Sequence, residues 1–530
     1  MISKRMFKRL LALGKIVLLS ITTSSISDNR VKAQENKKLP EETVLVVDPS
    51  IQYQKIDGWG TSLAWWANMV GGWDMPGKTG KEARQELMDL IFDSQKGLGI
   101  NIVRYNIGGG DNPEHNHYKR IEGNMPGFKK TEDSPYDWDA DANQIWVLKQ
   151  AQKLQGKDLI VEAFNDSPPW YMTVSGCNAG NTGAAKDNLK SDCYGVFAKY
   201  LVDVTEHFKN DLGITFDYLE PINEPASSYW QAYSTKQEGC HFDQGTSQSK
   251  IYVELYKQLE ERGLANAVKL TGTDETSIDV QIDSIKKLSP EAIDKIVKIN
   301  THTYGGSKRA EIRDLSTRLN KKLWMSEICA GSSSDEHDKS MTSALELNTG
   351  ILKDLRDMKC TGWVLWQAVE SELEDRLWDI SYGLIHGVYM AAEQLDEDYH
   401  IKNGLTPERY NELGLDRGKY FLTKQYYLFA QYSKFIRPGY TMIDINSSDA
   451  VAAISPEKDK IVVVVQNNTD NAKSCSFYFD NLNITNAAVE TYRTSETEGL
   501  NSINGVLVSN NRINDVLPAK SVTTYVVQAM

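Results

Sequence analysis

The sequence predicts an α/β fold: a (β/α)8 TIM barrel with an associated C-terminal antiparallel β-sandwich. Three observations predict it. Between residues 56 and 436, eight short apolar runs rich in β-branched residues alternate with amphipathic stretches, the pattern of repeated βα units around a parallel sheet. After Arg437-Pro438-Gly439 the texture changes to short β-rich runs separated by Asn, Ser, Asp and Gly. No Gly-rich phosphate loop follows the first run, which argues against a doubly wound open sheet.

The chain begins differently. Lys4, Arg5, Lys8 and Arg9 precede an apolar stretch over 10–21, and Val31-Lys32-Ala33 offers small-residue spacing for cleavage, so 1–33 reads as a signal peptide. The stretch is shorter than the roughly 20 residues a membrane-spanning helix needs, and Lys15 interrupts it. A secreted protein, extracellular or periplasmic, is expected, with no membrane association after signal cleavage. The eight runs then fall at 57–64, 100–107, 159–165, 216–223, 268–273, 296–301, 322–327 and 362–368. Between the third and fourth, Phe197, Tyr200, Leu201, Val204 and Phe208 are spaced by three and four and place one apolar stripe on a helix. The barrel is expected over 56–436 and the sandwich over 437–530, completed by a strand from 42–55 that contains Val44-Leu45-Val46-Val47.

Composition narrows the function. Asp and Glu number 72 against 59 Lys and Arg, and the net charge of -13 repels nucleic acid and anionic surfaces. The 530 residues, 40% hydrophobic, suit one large core and one smaller core. A monomer is expected. The six cysteines show no metal-ligand spacing and are too scattered for a disulfide framework. Cys177 and Cys193 could close a surface loop in an oxidising compartment. No metal and no cofactor are expected.

Two runs end in glutamates. The fourth leads into Glu220-Pro221-Ile222-Asn223-Glu224-Pro225 and the seventh ends at Ser326-Glu327. The C-terminal ends of barrel strands carry active sites, so Glu224 and Glu327 are expected to face each other across the mouth. Paired carboxylates are what retaining glycoside hydrolysis requires: one protonates the departing oxygen and the other attacks the anomeric carbon. A single glutamate after an apolar run is more often a solvated loop residue, and it is the pairing on strands four and seven that carries weight. Twelve tryptophans are many for this length. Trp170 and Trp366 are expected to stack on sugar faces, whereas Trp59 and Trp363 are expected to pack internally.

Asn223-Glu224-Pro225 matches the signature of the clan A retaining barrels, and the chain resembles glycoside hydrolase family 30 in several other segments. These are Asp57-Gly58-Trp59-Gly60, Ser167-Pro168-Pro169-Trp170, Ser326-Glu327-Ile328-Cys329 and Phe435-Ile436-Arg437-Pro438-Gly439, in that order along nearly the whole mature chain. The resemblance implies that Glu224 is the acid/base, Glu327 the nucleophile, and Asn223 a donor to the sugar 2-hydroxyl. It makes Arg104 the residue that keeps the nucleophile ionised and Asp111 an acid that grips sugar hydroxyls. His302 and Tyr304 become a pair beside the nucleophile.

Within that family, 60–67 (Gly-Thr-Ser-Leu-Ala-Trp-Trp-Ala) looks most like the endo-β-1,6-galactanase branch, which cuts the galactan side chains of arabinogalactan. Asn165 stands where the glucosylceramidase branch usually has tryptophan, and its amide could admit and hydrogen-bond an axial 4-hydroxyl. The alternatives are β-1,6-glucanase, glucosylceramidase-like or xylanase activity on the same fold. From another class, a non-catalytic carbohydrate-binding protein is disfavoured by the presence of both carboxylates and their matching partners.

Overall fold

The computed structural model describes residues 43–331, 340–378, 382–484 and 486–529. The expected signal peptide lies outside the described residues. Strand β1 (Thr43–Lys55) precedes eight parallel strands that close into a barrel: β2 (Gly58–Ser62), β3 (Ile102–Asn106), β4 (Ile160–Phe164), β5 (Tyr218–Glu220), β6 (Lys269–Ser277), β7 (Ile296–Gly305), β8 (Lys322–Glu327) and β9 (Gly362–Leu365). Closure is the pairing of β2 with β9 in parallel register, Trp59 opposite Trp363. All eight expected runs become barrel strands.

The strand ends differ from expectation in ways that shape the site. β5 stops at Glu220 instead of 223, because Pro221 cannot donate to the ladder. Glu224 therefore sits on a turn beyond the strand. β6 continues to Ser277 instead of 273 and β7 to Gly305 instead of 301, paired through register shifts after Thr273 and Thr301. Those extensions carry Asp274 and His302 into the mouth.

The helix Tyr194–Asn210 buries the predicted stripe Phe197, Tyr200, Leu201, Val204 and Phe208. Trp59 and Trp363 are fully buried beneath the helix Lys424–Ser433, with Phe429 5.6 Å from Trp59 and 5.7 Å from Trp363, ring centre to ring centre. The Trp59 indole N–H donates to Ile436 O at 2.7 Å, joining the first barrel strand to the chain's exit from the barrel.

The C-terminal segment is one continuous eleven-stranded sheet. β1 lies in its middle, antiparallel to Thr441–Ile445 and parallel to Lys473–Phe479, so the expected all-antiparallel arrangement is broken at one pair. The sheet curls until its halves face each other: Phe477 meets Tyr525 at 4.8 Å, and the Tyr525 hydroxyl donates to Asp515 at 2.7 Å. The strand Lys460–Asn467 shows why its sequence reads as an unbroken apolar run. Ile461, Val463 and Val465 face the core inside the curled sheet, while Val462 and Val464 join the barrel's core.

All six cysteines are thiols, so Cys177 and Cys193 do not close a loop. Cys193 Sγ lies instead 3.7 Å from the carboxylate of its neighbour Asp192.

Several acids of the barrel are buried without a full counter-charge. Burial pushes Glu122 and Glu238 from an ordinary 4.5 up to about 8, and Asp141 and Glu275 up to about 7. These groups stay protonated in the fold at pH values where the unfolded chain has released its protons. Their contribution to stability is complete below the unfolded values and is lost as pH rises through the folded ones. The thermal midpoint is therefore expected to be higher at about pH 5 than at about pH 9; scanning calorimetry checks this, and a midpoint rising steadily with pH would contradict it.

Candidate active site

The site grows from the barrel's polar interior. Glu162 on β4 receives Lys298 Nζ from β7 across the barrel at 2.6 Å, Asn300 Nδ2 at 3.0 Å and Arg104 Nε at 3.1 Å. Lys298 also lies over the Trp324 ring, 3.0 Å from its centre. This layer fixes Arg104 from below. Above, the fully buried Arg104 guanidinium donates to Asp274, to Glu327 Oε2 at 3.0 Å and to Ser326 O at 3.1 Å. One cation thus orients three carboxylates through its planar fork, a geometry lysine could not reproduce.

Glu327 is further held by Tyr304, whose hydroxyl donates to Oε1 at 3.1 Å. Glu224 has φ of 46°, a left-handed conformation that glutamate rarely adopts. The turn is maintained at both backbone polar groups: Glu224 N donates to Asp274 O at 2.9 Å, and the Trp230 indole donates to Glu224 O at 3.0 Å. Its carboxylate accepts from the Tyr229 hydroxyl and lies 3.1 Å from His302 Nδ1. His302 is central. Its Nδ1 is 3.6 Å from Glu327 Oε1, and its Nε2 is 3.2 Å from Asp274 Oδ1. One oxygen of Glu224, one of Glu327 and a ring nitrogen of His302 all lie within 4.8 Å of one another.

The electrostatics follow from this crowding. Burial pushes Glu327 up to about 7, aided by the Glu224 and Asp274 charges and opposed by His302 and Arg104. Burial also works against the Glu224 charge, but His302 and Tyr229 outweigh it and hold Glu224 below the ordinary value. Burial disfavours a charged His302, yet Glu327 and Asp274 raise it well above its usual range. Asp274 is held well below the usual carboxylate value, because Arg104 and His302 exceed its desolvation. These directions favour the proton on His302 over Glu224, whose carboxylate lies 3.1 Å from the ring nitrogen.

A cavity of about 580 Å³ opens over the two glutamates. Asn223, Tyr304 and Trp366 line it, together with Trp65, Tyr229 and Lys236. Trp65 and Trp366 meet edge to face at 5.2 Å and form an aromatic corner. Asn223 lines the cavity, and its buried Oδ1 has no protein partner. Asn165 donates both amide hydrogens to backbone, to Ile107 O at 2.6 Å and Ser167 O at 3.0 Å.

Besides Arg104 and His302, which sit beneath the glutamates, three of the sequence-predicted residues do not line the cavity: Asn165, buried with its amide on backbone carbonyls, and two that lie elsewhere. Asp111 is turned onto His115, His117 and the Asn178 N–H, and Trp170 is tied through its indole to Lys130 O at 3.0 Å; neither lines the cavity. Sequence reasoning missed Asp274, Tyr229 and Glu162. Asp274 had a signal, an acid at the end of the fifth run, but acids there usually face solvent. Tyr229 had none.

A model of O-glycosyl hydrolase family 30 matches residues 42–304. An endo-beta-1,6-galactanase of Hypocrea rufa is 30% identical over 452 residues, which cover 80% of this chain and 81% of that enzyme. An exo-beta-1,6-galactobiohydrolase of Bifidobacterium longum subsp. longum is 27% identical over 426 residues, 62% of this chain but 27% of that longer protein. The catalytic domain of a family 30 xylanase C from Talaromyces cellulolyticus has the same fold, with a TM-score of 0.66 at 19% identity, over 92% of this chain and 100% of that one. The family match, the extent of the galactanase alignment and the shared barrel agree: this chain belongs to glycoside hydrolase family 30 and is a glycoside hydrolase.

Proposed function

We propose that the protein is a secreted, retaining endo-β-1,6-galactanase that cleaves the galactan side chains of arabinogalactan. The observation that carries the mechanism is the approach of Glu224 and Glu327 to within 4.8 Å. Retaining enzymes hold their carboxyl groups about 5 Å apart, whereas inverting enzymes leave roughly 6.5–9.5 Å for a water. The substrate rests on the two relatives named for β-1,6-galactan cleavage, and endo action on the first of them. Secretion rests on the basic and apolar N-terminal segment.

In the first step Glu224 gives its proton to the departing glycosidic oxygen while Glu327 attacks the anomeric carbon, forming a glycosyl ester. In the second, Glu224 takes a proton from water as that water displaces Glu327, restoring both groups. With the proton favoured on His302, the acid form of Glu224 arises by transfer across the 3.1 Å contact. Positive charge developing on the sugar beside Glu327 favours the ionised nucleophile, which Arg104 and Tyr304 already support. Asn223 meets the 2-hydroxyl, and Trp366 stacks on the sugar ring.

On de-arabinosylated arabinogalactan the mature chain is expected to release short β-1,6-galacto-oligosaccharides, and Glu327→Gln is expected to abolish release. Proton NMR should show the β-anomer first. Cleavage of β-1,6-glucan alone would overturn the substrate, and initial release of the α-anomer would overturn the mechanism.

Tyr229→Phe removes a donor that stabilises the Glu224 carboxylate, so the proton that Glu224 shares with His302 should be held to higher pH. The alkaline limb of kcat/KM is expected to move up by about one unit. A limb that stays in place or moves down would remove Tyr229 from this role.

A further inference from the structure

Outside the catalytic cluster, Asp111, His115, His117 and Cys177 bring together the only four-residue group of potential ligands among the described residues. One donor atom from each lies within 4.8 Å of all the others. Asp111 Oδ2 is 3.1 Å from His115 Nδ1 and 2.8 Å from His117 Nε2, and Cys177 Sγ is 3.4 Å from that same His117 nitrogen. These residues come from two loops at the barrel mouth, the one after β3 and the one after β4.

The orientations of His117, Asp111 and Cys177 are set from outside the cluster. His117 Nδ1 lies 2.6 Å from Ser234 O, an acceptor that requires the ring hydrogen on Nδ1. Nε2 thus faces Asp111 Oδ2 at 2.8 Å and Cys177 Sγ at 3.4 Å, a contact that a proton on Nε2 closes and that a divalent cation taking the proton's place would also close. Asp111 Oδ1 accepts the Asn178 N–H at 3.2 Å, which leaves Oδ2 as the ligand oxygen. Cys177, fully buried, accepts backbone N–H groups from Tyr233 at 3.3 Å and Ala179 at 3.5 Å, which fix the position of its sulfur. A carbonyl behind the imidazole and N–H groups on the sulfur and the carboxylate form the outer layer that metal ligands require.

We propose that Asp111, His115, His117 and Cys177 form a closed four-coordinate site for a borderline-soft divalent cation of the zinc class. Two imidazoles and a thiolate select against magnesium and calcium, which demand oxygen ligands. With four protein ligands no position stays open for water, so the site is structural. Through Ser234 O and Tyr233 N it also reaches the segment after β5 that carries Tyr229 onto Glu224 and Lys236 into the cavity. The ion would clasp three loops around the mouth, whatever sugar the enzyme cleaves.

The test is cobalt titration of the full mature chain after stripping with a chelator. One equivalent is expected to bind with the intense visible bands of four-coordinate cobalt and a thiolate-to-cobalt charge-transfer band in the near ultraviolet. Cys177→Ser should lose the charge-transfer band, and His115→Ala should bind at least about tenfold more weakly. Zinc, but not magnesium, should raise the thermal midpoint of the stripped protein. A stripped wild type with native circular dichroism and no charge-transfer band at excess cobalt would overturn the proposal. So would an unchanged band in Cys177→Ser, which would place the cobalt on another thiol. If Cys177→Ser does not fold, His115→Ala decides: cobalt affinity equal to wild type would overturn the site.

Discussion

Arg104 is a buried cation shared among Glu162, Asp274 and Glu327, and the geometry of the catalytic mouth descends from it. Burying a guanidinium is tolerable only with paired, hydrogen-bonded counter-charges, and these carboxylates lean on it together with Lys298 at Glu162 and His302 at Asp274 and Glu327. Removing one partner of such a group typically costs about 3–5 kcal/mol, since it strands charges that have no water to reach. The arrangement thus couples stability to function. β4 supplies the floor through Glu162, β6 the side through Asp274, and β8 the carboxylate of Glu327, and none of these strands can shift without disturbing the others.

The same constraint accounts for the unusual backbone around the mouth. Glu224 and Asp274 both have positive φ, at 46° and 58°, and the Glu224 N–H donates to the Asp274 carbonyl. Each such residue costs on the order of 1–3 kcal/mol, which persists only where the surroundings over-determine it. Here Arg104 and Ser326 hold Asp274, while Trp230 and Tyr229 hold Glu224. His302 spans the two, contacting Glu224, Asp274 and Glu327 from one ring, so the carboxylates share a proton through an intermediary.

Much of this was legible in the sequence where the signal was local. Strand runs, the helical stripe and the break at Arg437-Pro438-Gly439 reflect periodicity and turn chemistry within a few residues. Glu224 and Glu327 could be read because a barrel carries its chemistry at strand ends. Arg104, His302 and Tyr304 came only through resemblance, since an arginine or tyrosine after a strand is ordinary by itself. What stayed hidden depends on contacts distant in sequence. Asp274 meets Arg104 across 170 positions, and Tyr229 reaches Glu224 only because a loop folds back. The cluster around Cys177 was invisible for the same reason, because cysteine spacing says nothing about a thiol that meets a histidine 60 residues earlier.

The central claim is that this constellation makes Glu327 the nucleophile. It is tested most directly by incubating the enzyme with a 2-fluoro-β-galactoside bearing a good leaving group, then mapping the labelled peptide by mass spectrometry. A single glycosyl adduct on Glu327 is predicted, slow to hydrolyse. An adduct on Glu224 or on another residue would contradict the assignment, and turnover without any adduct, with inverted product, would contradict the mechanism.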